Sequence, residues 1–114
     1  MKTATIQFAR KSSFARQHYF CLLVFAGGAG GSWQLANLGP RIAKGDMAPG
    51  FMIDLVLKDL AIVAEAARAR GVPLAGTALA ETYFRSAQAQ GAGKKGTQAM
   101  SQTLESLGHF RYKG

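Results

Sequence analysis

The sequence has 114 residues, of which 48% are apolar and 18% charged, so it fits one domain with a small core and is too apolar for a disordered chain. Its formal net charge of +8 is typical of chains that bind anionic partners. The single cysteine, Cys21, excludes an intrachain disulfide and a cysteine-based zinc site, and its setting in FCLLVF predicts a buried thiol.

The basic excess lies in the first third of the chain. No acidic residue precedes Asp46, whereas eight basic and six acidic residues lie from Asp46 onward. Nucleic-acid binding needs aromatic residues among the charges, and only Phe14, His18 and Tyr19 offer them. The longest apolar run, residues 19–26, is too short to cross a bilayer as a helix. We therefore expect a cytoplasmic protein without nucleic acid or membrane partners, and a basic nucleic-acid binder is the weakest alternative.

The first structural signals come from residues 19–44. Residues 19–25 fit either a buried strand or a helical turn, which periodicity does not separate. Five residues rich in glycine, 27–31, then predict a loop, and Ser32 is a suitable N-cap for a helix that begins at Trp33. A tryptophan on the first turn is more often a core anchor than a ligand platform. Gly39-Pro40 should kink or interrupt this helix.

Residues 51–70 predict the central buried helix, which Gly71-Val72-Pro73 stops. At 100° per residue, four of its charged side chains fall on one stripe, and Phe51 lies almost in line with them. These residues are Asp54, Lys58, Glu65 and Arg68. Lys58 is then either a functional cation or the partner of Asp54 in an intrahelical pair. Asp59 projects into the opposite apolar arc, so it needs a donor there or lines a cleft.

Two further helices are predicted, over residues 74–90 and from the N-cap Thr97 to Leu107, with a glycine-rich loop over residues 91–96 between them. From residue 32 onward the prediction is therefore all-α and similar to a helical bundle. The loop GAGKKGT has the glycine interval of a P-loop but threonine where lysine is required, so Lys94 and Lys95 are predicted to be solvent-exposed loop charges.

No catalytic constellation is present in the sequence. The glycine-rich GGAGGSW fails the dinucleotide spacing, because Trp33 stands where the third glycine is required. No Ser/His/Asp order, paired carboxylates or metal-ligand cluster occurs, so we assign no catalytic residue and no metal.

Four short motifs nevertheless occur in a specific order and spacing. They are GSW at residues 31–33, APGF at 48–51, KDL at 58–60 and GVPL at 71–74. Together they resemble the C-terminal helical domain of the β-hydroxyacid dehydrogenases, the family of 3-hydroxyisobutyrate dehydrogenase and 2-hydroxy-3-oxopropionate reductase. The resemblance predicts an unmatched segment 1–26, a helical domain 27–108 and a tail 109–114.

The resemblance implies a cofactor site. In that family, the helical domain packs on a Rossmann domain, and the cofactor is NAD or NADP. It implies that Lys58 reaches the nicotinamide end of the cofactor and that Phe51 lines the same site. Asp59 is implied as a supporting residue, as is Trp33 of the GSW motif. The substrate of the complete enzyme would be a small 3-hydroxy acid, converted to its semialdehyde.

The family's dinucleotide fingerprint, its serine-glycine-glycine segment and its G-x-G-x-x-K-x-x-N motif are absent from the sequence. We therefore expect a truncated gene, a misplaced start or a frameshift junction, without the Rossmann domain and inactive alone. The expected partner is either that domain or a second copy of the chain. The alternative function is a stand-alone helical association module without catalysis.

Overall fold

The computed structural model describes residues 20–111, and all regular structure in that range is helical, with no strand. This confirms the predicted all-α fold. The described residues divide into two compact units, one over residues 20–46 and the other over Met47–Arg111. Within residues 20–111, no helix combines the length and hydropathy of a membrane span. The predictions for residues 1–19 lie outside the described range.

The first unit contains helical residues 20–27 and helix α1, Trp33–Ala43. The predicted N-cap is confirmed, because the Ser32 hydroxyl accepts a hydrogen bond from the Leu35 amide at 3.0 Å. Residues 20–27 approach α1 closely at the buried Gly39, where an added Cβ would lie 3.0 Å from Leu22 Cδ2. Glycine at this position therefore permits the contact.

Two local predictions for this unit differ from the structure. Helix α1 continues through Pro40 to Ala43, so the predicted interruption at Gly39-Pro40 is wrong, whereas the alternative, a kink, stays a prediction. Cys21 is exposed, as are several large apolar neighbours on residues 20–27. The apolar composition alone predicted burial, but the described chain provides too little surface to cover every apolar face of these residues.

The second unit contains three α-helices in chain order. Helix α2 spans Ile53–Ala69, α3 spans Ala75–Ala87 and α4 spans Ser101–Leu107. A π-helical turn, Gln88–Ala92, follows α3, and a 3₁₀ turn, Thr97–Met100, precedes α4. The predicted third helix therefore consists of a 3₁₀ turn and a short α-helix, and the residue that precedes the 3₁₀ turn as its N-cap is Gly96, not Thr97.

Gly71 ends α2 as the sequence predicts. Its φ of 65° is in the left-handed region, which favours glycine. The Val72 amide donates to Ala67 O at 3.0 Å and the Gly71 amide to Arg68 O at 3.2 Å, which is the paired pattern of a Schellman motif.

The core of the second unit is small and lies at one end of α2. It consists of Ile53, Leu57, Ala87, Ala92 and Ala99, with Met47 and Phe84 packed against it. Toward its C-terminal end, α2 leaves Ile62 and Val63 exposed. The prediction of a central buried helix is therefore wrong beyond its first turns, because a unit this small buries a limited share of its surface.

Candidate functional site

The glycine-rich residues 93–96 cap the N-terminus of α2 with backbone carbonyls. The Ile53 amide donates to Lys95 O at 3.1 Å, and the Asp54 amide donates to Gly93 O at 3.0 Å. Met52, the N-cap residue, contributes no side-chain hydrogen bond. Because the first-turn amides already have acceptors, this helix end does not offer the free N–H groups that bind phosphate.

The carboxylate of Asp54 joins the same loop to α2. Lys94 Nζ lies 2.9 Å from Asp54 Oδ2, and Gln88 Nε2 donates to Asp54 Oδ1 at 2.8 Å. These hydrogen bonds from Lys94 and Gln88 hold the pKa of the Asp54 carboxyl below its usual value. The alternative that pairs Asp54 with Lys58 is therefore wrong. Lys94 is exposed, as predicted, but it pairs with a carboxylate.

This cluster predicts a specific pH dependence of stability. The folded-state pKa of Asp54 is below that of the unfolded chain, about 3.9, so acid protonates the unfolded state first. The stability that Asp54 contributes is present above about pH 4 and is lost as the pH falls through the folded-state pKa. Urea unfolding of the parent and Asp54→Asn should therefore give free energies that differ at pH 6 and approach each other as the pH falls below about 4. A pH-independent difference would contradict this assignment.

The side chain of Lys58 points into solvent on α2 and is 65% exposed. Its Nζ lies 3.4 Å from Asp59 Oδ1, and the Asp59 side chain is exposed as well. Such a pair contributes little to stability, typically about 0 to 1 kcal/mol. The apolar arc that should supply Asp59 with a donor is partly solvated, and the ion-pair partner of Asp59 is the adjacent lysine.

The other two predicted site residues, Phe51 and Trp33, lie outside α2. Phe51 precedes α2, so it shares no helical face with Lys58, but its carbonyl accepts from the Thr97 amide at 3.0 Å and its ring is partly exposed. Trp33 belongs to the other unit and is 68% exposed, so it is not a core anchor there. Residues 20–111 contain no group of three potential metal ligands.

No local signal in the sequence marks the capping loop. The acceptors for Ile53 and Asp54 lie about forty positions later in the chain, and the only visible sign is a pair of glycines flanking two lysines. Chemically, α2 and the residues that cap it offer exposed cations, among them Lys58 and Lys94, and the partly exposed aromatic ring of Phe51.

Comparisons with known proteins agree with this helical arrangement. Residues 8–104 match the family described as "NAD-binding of NADP-dependent 3-hydroxyisobutyrate dehydrogenase". An uncharacterized oxidoreductase of Synechocystis is 49% identical over 73 residues, which cover 64% of this chain and 24% of that protein. The L-threonate dehydrogenase of Escherichia coli K12 is 35% identical over 77 residues, covering 68% of this chain and 26% of that enzyme.

A solved structure extends the likeness to the fold. The crystal structure of 3-hydroxyisobutyrate dehydrogenase from Salmonella typhimurium has a TM-score of 0.70 and 32% identity, over 73% of this chain and 29% of that one. The chain spans about a quarter of the length of the Synechocystis and Escherichia coli relatives. The family match covers most of this sequence, and the chain therefore belongs to the 3-hydroxyisobutyrate dehydrogenase family.

Proposed function

We propose that this chain is the helical domain, residues 27–108, of an NAD(P)-dependent dehydrogenase that interconverts a 3-hydroxy acid and its semialdehyde. Lys58 contacts the nicotinamide end of the cofactor, Phe51 lines the same site, and Asp59 supports it. The supporting role of Trp33 stays a prediction. The observation that supports this proposal best is the exposed Lys58 ammonium, whose ion pair with Asp59 is long and solvated. Such a cation contributes little to the fold and remains accessible to a ligand.

The residues present fit the nicotinamide end of NAD(P). Bound cofactor accepts or donates the hydride, and Lys58 can donate a charge-assisted hydrogen bond to a polar oxygen beside the ring. The partly exposed ring of Phe51 offers an apolar surface that excludes water from one side of such a ligand. The pyrophosphate must bind elsewhere, because the α2 amides Ile53 and Asp54 already donate to carbonyls.

Complementation tests the proposal with the complete 114-residue chain. We would mix it with the part of the Synechocystis relative that it does not match, which the proposal takes to contain the Rossmann domain. This pair of chains is named the complemented enzyme. We expect oxidation of 3-hydroxyisobutyrate or L-threonate, followed through the absorbance of NADH or NADPH, to require both pieces. If the two pieces associate but the mixture oxidises neither substrate with NAD or NADP, the proposal is contradicted.

Self-association is a second candidate function. Exposed apolar side chains lie along the second unit, on α2, on α3 and between them. They are Ile62, Val63, Val72 and Leu79. A monomer gains nothing from leaving such residues in water, whereas a second copy that covers them gains free energy in proportion to the apolar area buried. Sedimentation equilibrium over a wide concentration range would detect such a dimer.

The cytoplasmic location stays a prediction.

A further inference from the structure

We propose that Asp54, Lys94 and Gln88 are positioning residues that hold residues 93–96 over the first turn of α2 and thereby fix the backbone that carries Phe51. This three-residue cluster is named the clamp. Its functional consequence rests on the function proposed above, but the clamp itself does not.

The loop and α2 exchange backbone hydrogen bonds in both directions. Carbonyls of Gly93 and Lys95 accept from the first-turn amides Asp54 and Ile53. In return, the Thr97 amide, just after the loop, donates to Phe51 O at 3.0 Å, and Met52 forms an antiparallel bridge with Gly96. The backbone before α2 is therefore fixed by the position of the loop.

The clamp supplies the side chains that hold the loop. Lys94 lies on the loop and Gln88 on the π-helical turn before it, and both bind the carboxylate of Asp54 on α2. The adjacent Lys95 makes a different contact, since its Nζ lies 3.4 Å from Gln102 Oε1. Lys94 and Lys95 thus have the same charge and neighbouring positions, but the Lys94 side chain is the one that connects the loop to α2.

The space beside the Asp54 carboxylate is filled by the loop backbone. A Cβ added at Gly93 would clash with Asp54 Oδ1, so any side chain there must displace the carboxylate or the loop. Glycine at position 93 thus permits the close approach of Asp54, and its φ is not positive. In sequence, this loop resembles a phosphate-binding loop. In the structure, its glycine at position 93 allows the loop backbone to approach the Asp54 carboxylate.

The test is amide hydrogen exchange by NMR on the complete chain, with Lys94→Gln and its matched control Lys95→Gln. The clamp predicts that Lys94→Gln accelerates exchange at Ile53, Asp54 and Thr97 about tenfold or more, because these amides depend on the loop. The Val72 amide, which donates to Ala67 O at the far end of α2, should keep its rate. Lys95→Gln should leave all four rates within about twofold of the parent.

A second readout separates positioning from a general loss of stability. In Lys94→Gln, the Phe51 ring resonances should shift at temperatures where the chain is fully folded, and Lys94→Arg should restore them because it keeps the cation. Gly93→Ala should reproduce the Lys94→Gln pattern through the clash with Asp54. Equal acceleration at Val72, or no difference between Lys94→Gln and Lys95→Gln, would overturn the proposal. None of these outcomes depends on cofactor binding, so the clamp and the proposed function fail separately.

Discussion

Lys58→Met is expected to lower kcat/KM of the complemented enzyme about 100-fold or more, while the free energy of unfolding changes by less than about 1 kcal/mol. Methionine keeps an unbranched side chain of similar length and a good helix propensity, but it removes the charge. The ammonium is 65% exposed and its partner Asp59 lies 3.4 Å away in solvent, so little folding energy is lost. A loss of activity would then reflect a lost contact with cofactor or substrate.

Arg68→Met is the matched control for this substitution. Arg68 lies on the same helix, on the charged stripe that the sequence predicts, and it is exposed near the C-terminal end of α2. Stopped-flow measurement of cofactor binding, steady-state kinetics and urea unfolding should be made on both variants. We expect Arg68→Met to retain activity within about threefold of the parent. Equal kinetic losses in both variants would contradict the role proposed for Lys58 and indicate a nonspecific effect of charge.

Features that depend on neighbouring residues could be predicted from the sequence. Ser32 caps α1 and Gly71 ends α2, because both effects involve hydrogen bonds within a few positions of the chain. The main bounds of α2 and α3 also follow from local periodicity and from the stop at residues 71–73. The motifs that resemble the family are likewise local, and the family match covers them.

The features that sequence reasoning missed depend on distant residues. Asp54 has a suitable lysine four positions later, yet it pairs with Lys94, forty positions away, because the loop returns to the start of α2. Lys58 then contacts Asp59 instead. Apolar patterns likewise predicted burial for all of α2, but the number of neighbours is a property of the folded unit and not of the pattern. The roles of Lys58 and Phe51 were predicted from the short motifs that contain them, and they stay predictions.

Ile53→Ala is expected to cost about 2 to 5 kcal/mol of unfolding free energy, the largest stability effect that we predict. Ile53 is completely buried and joins Leu57, Ala87 and Ala99 in the core. The alanines around it are too small to fill the space that truncation leaves. A domain of this size has a total stability of roughly 3 to 10 kcal/mol, so the substitution should remove a large share of it. Urea unfolding followed by circular dichroism measures the loss.

Ile62→Ala is the matched control, because it makes the same substitution on the same helix at an exposed position. Comparing the two variants therefore measures the effect of burial alone. Ile62 is 60% exposed, so its truncation should change the unfolding free energy by less than about 0.5 kcal/mol in a monomer. If a second copy covers this face, the variant should instead weaken the dimer, and its apparent stability should fall only at high protein concentration. Equal losses in the two variants at micromolar concentration would contradict the burial described for α2. A concentration-dependent loss confined to Ile62→Ala would support the proposed association face, because only the exposed isoleucine can be buried by a second chain.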